Sequence, residues 1–229
     1  MEFSDNIEIQ HERLDRSEWD RVYVVGDVHG CREELDRLLS ELNPSLDDLI
    51  VFVGDLVKKG PDSRGVVDLV RSSPNMLSVR GNNEEELLDG EKGLPGLTVN
   101  DLDWIRSLPA VVSWEGVVVT HAGIDPRKPP ADHTVEDLQT VRSLAPEGGY
   151  TRPFWFDRYE GPPRVFFGHT VLKNPVVRPH AVGLDTGCVY GGALTAYDLS
   201  RDETVSVESV RAYEQPHDSM FVSLSQNPV

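Results

Sequence analysis

Five apolar runs in this chain end alike. RVYVVGD stops at Asp27, DLIVFVGD at Asp55, MLSVRGN at Asn82, GVVVTH at His121 and RVFFGH at His169. Each opens as a short, largely β-branched stretch that reads as a buried strand, and each closes on a side chain with a free oxygen or nitrogen lone pair. His29 adds a sixth donor two residues beyond Asp27, beside Gly30, which lets backbone approach closely. Carboxylates, one amide oxygen and imidazoles form a hard-to-borderline donor set that suits Mn²⁺, Fe²⁺, Fe³⁺ or Zn²⁺. Taken singly, Gly-Asp is a turn or a helix N-cap, and a histidine after a strand is a hydrogen-bonded surface or core residue. Five such ends in one chain point instead to a shared metal site.

The elements that would position these donors alternate along the chain. Strands are expected at 21–27, 48–55, 76–82, 164–170, 181–187, 193–199 and 204–211, and a hairpin at 110–123 turning near Glu115-Gly116. Leu35, Leu38, Leu39 and Leu42 have helical spacing within 31–42. Further helices are expected at 62–73, from 83 to 90, at 99–109 and at 134–144. The early part reads β-α-β-α-β and the later part mostly antiparallel. The expected fold class is α/β, with two packed sheets flanked by helices. In open α/β sheets, ligands bind beyond the carboxyl ends of the strands, so side chains from several strand ends can converge there. Phe154, Trp155, Phe156 and Tyr159 form an aromatic cluster, either a core patch or a wall for stacking a base.

At 229 residues the chain suits one α/β domain, 1–229, with a core over about 21–211 and polar termini; the stretch after Tyr213 is expected to fray. No apolar run approaches the roughly 20 residues of a membrane helix, and the acidic start lacks a basic stretch followed by an apolar one. A cytoplasmic location without membrane partners is the expectation. The net charge of −17 and pI of about 4.7 argue against binding duplex nucleic acid. An acidic chain with only five lysines suits concentrated salt and a halophilic source. Cys31 and Cys188 match no disulfide framework or zinc module and read as buried thiols.

Taken together, GDVHG (26–30), GDLVKKGPDS (54–63), RGNNE (80–84), THAG (120–123), GHT (168–170) and GLDTGCVYGGALTAYDL (183–199) resemble the phosphoprotein-phosphatase branch of the calcineurin-like metallophosphoesterases. Bacterial and archaeal serine/threonine phosphatases, symmetrical diadenosine tetraphosphatases and ApaH-like phosphatases carry similar stretches. The resemblance spans about 21–200 and implies the metallophosphoesterase-type sandwich of two mixed sheets. It also implies two divalent ions, manganese foremost, with iron, zinc or nickel as alternatives. Asp27 and His29 would hold the first ion, Asp55 would bridge, and Asn82, His121 and His169 would hold the second. A water activated between the metals would attack phosphorus in line.

The chain departs from the family pattern twice. The usual Asp-Arg-Gly after the bridging aspartate is Lys58-Lys59-Gly60 here, so Lys59 keeps the charge but lacks the bidentate fork. Arg80 and Arg142, the latter expected within a helix, are further candidates for holding phosphate. The usual Gly-Asn-His-Glu is Gly81-Asn82-Asn83-Glu84. Asn83 has no proton to give a leaving group but could hydrogen-bond a phosphate oxygen; His133 or His180 could stand in as the acid. Loss of a general acid costs about 10²–10⁴-fold in rate when the leaving group needs protonation. The expected substrate is therefore a nucleotide or other phosphoanhydride, or a phosphorylated protein. A phosphodiesterase, or a pseudophosphatase that binds phosphate with little turnover, are the alternatives.

Overall fold

The computed structural model describes Phe3 and residues 11–90, 93–216 and 221–223. In chain order the elements are β1 (His11–Arg13), β2 (Val22–Val25), α1 (Arg32–Leu42), β3 (Leu49–Phe52), α2 (Ser63–Ser72), β4 (Met76–Ser78), α3 (Asn82–Leu88), α4 (Val99–Ser107), β5 (Val111–Trp114), β6 (Val117–Thr120), α5 (Val135–Thr140), β7 (Arg164–Phe167), β8 (Val176–Val177), β9 (Ala181–Gly183), β10 (Ala193–Asp198) and β11 (Glu203–Glu208). They build a six-stranded sheet, β1-β5-β6-β7-β9-β8, and a five-stranded sheet, β11-β10-β2-β3-β4.

The strand pattern dictates the layering. Alternate residues of β2 and β3, Val22, Val24, Leu49 and Val51, meet Val112, Val119, Phe166 and Val182 of the other sheet. The residues between them, Tyr23, Val25, Ile50 and Phe52, pack under Leu35 and Leu38 of α1 and Val66, Val67 and Val70 of α2. Burial on both faces is why these strands read as continuous apolar runs rather than alternating ones. The helices start as their sequences direct: Thr98 accepts from Asp101 N–H and Thr134 from Asp137 N–H, and each aspartate reaches back to its threonine N–H. The hairpin β5–β6 turns at Glu115-Gly116, with Gly116 at φ 75°.

The structure departs from expectation in four places. First, the later part is mixed rather than mostly antiparallel, because β6, β7 and β9 run parallel. Those three carboxyl ends consequently emerge on one edge, as do those of the parallel trio β2, β3 and β4. Second, α5 stops at Thr140 instead of continuing to 144. The chain turns extended at Val141, and Ser143 bridges Phe154 while the Arg142 carbonyl accepts from Trp155 N–H. Tertiary pairing there overrides helix propensity.

Third, the ordered framework begins before residue 21. β1 pairs in parallel with β5, and Phe3 is buried; its polar sequence carries no strand signal. Fourth, part of the polar end folds back. Val222 is buried and bridges Leu172, and Phe221 lies against Gly187. Of the two readings of the aromatic cluster, the core patch is the one the structure bears out. Phe154, Trp155 and Phe156 are at most 1% exposed and cover the outer face of the larger sheet with Val118, Val165 and Phe167. No helix among the described residues is long and apolar enough to cross a membrane.

Candidate metal centre

All six donors gather where the two sheets' strand ends meet, and cross-sheet hydrogen bonds hold the ends together. His169 N–H donates to the Asp27 carboxylate (3.1 Å to Oδ2), and His121 Nδ1 lies 2.8 Å from the Val53 carbonyl. Aiming the side chains inward bends the backbone. His29, Asp55 and His169 have φ of 50°, 53° and 61°, as do Lys58 and Lys59 at 69° and 66°. Non-glycine residues in the left-handed region cost on the order of 1 kcal/mol each and persist where surrounding contacts over-determine them. Gly168 is needed for a different reason: a Cβ there would lie 2.7 Å from Val53 Cγ2 and 2.9 Å from Asp27 Cγ.

The donors form two groups that share Asp55. In the first, ligand atoms of Asp27, His29 and Asp55 all lie within 4.8 Å of one another; His29 Nε2 is 3.5 Å from Asp55 Oδ2 and 4.0 Å from Asp27 Oδ2. In the second, Asn82 Oδ1 lies 2.9 Å from His121 Nε2 and 2.8 Å from His169 Nδ1, and His121 Nε2 is 3.4 Å from Asp55 Oδ1.

Proton bookkeeping shows what these groups fit. His29 Nδ1 faces the Val57 carbonyl at 3.2 Å, and His121 Nδ1 faces that of Val53. A carbonyl only accepts, so each Nδ1 carries the hydrogen and each neutral ring presents a lone pair at Nε2. Burial lowers the pKa of all three imidazoles, of His29 to about 4, which keeps them neutral near pH 7. At His121 the Nε2 lone pair therefore points at two oxygens that are also acceptors. A cation resolves such a cluster, and a backbone carbonyl fixing the tautomer is the usual support behind a metal-ligating histidine.

The family follows from the whole sequence. The profile of the calcineurin-like phosphoesterases matches residues 20–199. The chain belongs to that family. Calcineurin-like phosphoesterases are metal-dependent hydrolases of phosphoric esters and anhydrides, and the shared-carboxylate geometry above fits divalent ions. A relative in Bacillus velezensis, named bis(5'-nucleosyl)-tetraphosphatase PrpE (asymmetrical), is 28% identical over 83% of this chain and 94% of that protein. Serine/threonine-protein phosphatase 1 of Salmonella typhimurium is 31% identical over 81% of this chain and 94% of its own length. Among solved structures, a candidate diadenosine tetraphosphatase superposes with a TM-score of 0.79 at 32% identity, over 88% of this chain and 98% of that one.

Around the six donors this phosphoesterase places residues that the sequence did and did not signal. Asn83 is turned to Asp55: its N–H donates to Oδ1 at 2.9 Å and its Nδ2 to Oδ2 at 2.6 Å. It thus orients the shared carboxylate rather than reaching for a phosphate oxygen. Burial works to raise Asp55, but His121, His29, Lys59 and the Asn83 N–H outweigh it and hold the carboxyl below its usual range. Asp27 goes the other way, pushed well up by burial and by Asp185 and Asp55. Lys59 Nζ lies 3.1 Å from His29 Nε2 and 5.4 Å from the centre of the Tyr190 ring. Arg142 follows α5 in extended chain; its Nη2 donates to the His169 carbonyl at 3.0 Å and its guanidinium covers Tyr150.

Arg80 does not face the metal groups. Its Nη1 donates to the Arg106 carbonyl at 3.0 Å and its Nε lies 2.7 Å from Glu85 Oε2. The exposed carbonyls at the end of α4 need donors, and Arg80 supplies one. His133 and His180 are elsewhere too. His133 Nε2 accepts from Asp125 N–H and its Nδ1 faces the Pro129 carbonyl, while His180 precedes β9, at the strand end opposite the site. Neither stands in as an acid. Cys31 and Cys188 are free, buried thiols.

Two residues escaped the sequence reading. Glu84 is fully buried and accepts from Asp55 N–H (2.8 Å), Val57 N–H (3.1 Å) and Gly81 N–H (2.9 Å), tying the two Gly-rich turns together. Burial and the nearby Asp55 raise its pKa to about 7. Asp185 follows β9 in the run GLD, the same signature as the other strand ends, and that signature could have found it. It is buried, which pushes its pKa up to about 6, and its charge bears on Asp27.

Proposed function

We propose that this phosphoesterase hydrolyses phosphoanhydride bonds of nucleotides, dinucleoside polyphosphates foremost, with two divalent ions, manganese by preference. Asp27, His29 and Asp55 would hold one ion, and Asp55, Asn82, His121 and His169 the other. Ions bound there supply Lewis acidity and a water of lowered pKa. Everything else falls to the chain. Asn83 and Glu84 keep Asp55 aimed at both groups. Lys59 and Arg142, the cations nearest the donors, balance the substrate's phosphate charge and orient it for in-line attack.

The observation that carries the choice of substrate is Asn83. The side chain beside the shared carboxylate has no ionisable proton, and both its donor contacts go to Asp55. Among the described residues, neither remaining candidate histidine reaches the site. A phosphate leaves without protonation, whereas the alkoxide of a phosphoserine needs it. The Bacillus velezensis relative's name agrees with an anhydride substrate. A serine/threonine phosphatase is the second reading, favoured by the name of the Salmonella relative.

The test is turnover of diadenosine tetraphosphate, a phosphoserine peptide and inorganic polyphosphate by the manganese-loaded protein. The expected order puts the dinucleotide at least about 10²-fold above the peptide in kcat/KM, the low end of what a missing general acid costs. A peptide rate equal to or above the dinucleotide rate would overturn the anhydride reading.

A further inference from the structure

A carboxylate taken out of water is normally paired with a cation or bound to a metal. Glu34 has no such cation. It lies in the first turn of α1, where a glutamate ordinarily stays in solvent, yet it is fully buried. Its Oε1 accepts from Val210 N–H (3.1 Å) and from the hydroxyls of Tyr213 (3.0 Å) and Ser209 (3.3 Å), while Oε2 has only a longer contact, 3.3 Å, from Tyr213. Among the described residues no lysine, arginine or histidine pairs with it. What it meets instead is both cysteines of the chain. Ligand atoms of Cys31, Glu34 and Cys188 all lie within 4.8 Å of one another, and all three residues are buried.

The three residues come from two distant segments. Cys31 precedes α1, with Glu34 one turn on, and Cys188 lies in the loop between β9 and β10. Cys31 makes no side-chain hydrogen bond that caps α1, so its sulfur is not committed to the helix end. A tetrahedral Zn²⁺ with sulfur at 2.3 Å and oxygen near 2.1 Å sets its donors about 3.4–3.8 Å apart. Groups already within 4.8 Å of one another need to close by only about 1 Å to meet that geometry. Two thiolates and a carboxylate are a soft donor set, which favours Zn²⁺ over Mn²⁺, whereas the six donors of the main centre are oxygen and nitrogen alone. We propose that Cys31, Glu34 and Cys188 form a second metal site, separate from the main centre, for a thiophilic divalent cation, Zn²⁺ foremost. Binding releases the thiol protons and leaves one position of the tetrahedron for a water. The ion ties the start of α1 to the loop after β9, the segments that follow His29 and Asp185 in the chain.

Cd²⁺ is the probe, titrated into the Mn²⁺-loaded full chain. Thiolates bound to Cd²⁺ absorb in the ultraviolet by sulfur-to-metal charge transfer, a band that oxygen and nitrogen donors cannot give. The chain has two cysteines, so the band has no other source. It should saturate at a single Cd²⁺ per chain. Cys31→Ala and Cys188→Ala should each bind Cd²⁺ at least about 10-fold more weakly, since a lost ligand costs no less than a lost group behind one. Glu34→Gln should lose about 10-fold or more in affinity too, yet keep the wild-type band at saturation, because both sulfurs remain. Thermal unfolding in chelator checks the fold of each variant, and the wild-type titration stands by itself where a variant fails to fold. No charge-transfer band in wild type, saturation at two Cd²⁺ per chain, or undiminished affinity in either cysteine variant would overturn the proposal. So would a disulfide, read as fewer than two thiols titrating in denaturant without reductant.

Discussion

Replacing Gly168 by alanine adds a single methyl group at the point where the two sheets press Asp27 against the turn after β7. The backbone at 168 is not left-handed, so the substitution acts through space and not through strain. The new Cβ would fall on Asp27 Oδ1, 2.9 Å from Asp27 Cγ and 2.7 Å from Val53 Cγ2. Carbon atoms pack at about 3.5–4.0 Å, so the carboxylate or the turn must give way by about 1 Å. Val53 is buried between the sheets and has nowhere to go, which leaves Asp27 and the His169 N–H bonds to it as the parts that move. Overpacking of this size costs about 1–3 kcal/mol of stability, or about 2–12 °C in a chain this long. A displacement of about 1 Å in a reacting constellation costs on the order of 10²-fold in rate. Gly168→Ala should therefore fold, bind Mn²⁺ more weakly and lose about 10²-fold in kcat/KM on diadenosine tetraphosphate. Calorimetry, steady-state kinetics and thermal unfolding read the three effects separately. Gly93→Ala, where nothing lies within 4 Å of an added Cβ and the backbone is not left-handed, is the control and should keep full activity. Activity and Mn²⁺ affinity of Gly168→Ala both within threefold of wild type would refute the packing argument.

Three further outcomes follow from the same geometry. Asn83→His should raise kcat on a phosphoserine peptide about 10²-fold more than on diadenosine tetraphosphate, because only the peptide's alkoxide needs a proton; equal gains would count against the leaving-group argument. Glu84→Ala should destabilise the chain by about 3–5 kcal/mol in urea unfolding, since three buried N–H groups lose their acceptor at about 1–3 kcal/mol each before any relaxation; a loss under about 1 kcal/mol would show that the turns stand without it. Asp185 has a folded pKa of about 6, above the unfolded value near 3.9, so the folded state binds the extra proton. In chelator its contribution should be full below about pH 4, decline as pH rises to 6 and be absent above. The stability difference between wild type and Asp185→Asn should change by about 3 kcal/mol across that window, and a flat difference would contradict the raised pKa.

Much of the centre was legible before folding because its signal is local. A β-branched run that ends in a small residue and then a donor is a strand with a ligand at its mouth, and Asp27, Asp55, Asn82, His121 and His169 all carried that mark. Asp185 carried it too, but its run, GLDTGC, reads equally as a turn. Glu84 was invisible, since a glutamate in the first turn of a helix looks like an ordinary dipole partner. Arg80 misled because adjacency to Gly81-Asn82 in sequence says nothing of where a guanidinium goes. It went to the end of α4, a neighbour in space more than twenty residues away.

Composition and order along the chain determined which donors exist, that strands carry them and that the charge beside them is lysine rather than arginine. These depend on residue type and on spacing within one element, which a sequence states directly. Direction was decided only by the tertiary structure. Whether β6, β7 and β9 run parallel settles whether His121, His169 and Asp185 emerge on the same edge, and that is a property of pairing between distant segments. Which nitrogen of an imidazole is free depends on a carbonyl from another strand, as Val53 does for His121. A metal centre needs lone pairs that converge, and convergence arises only when the two sheets are packed face to face.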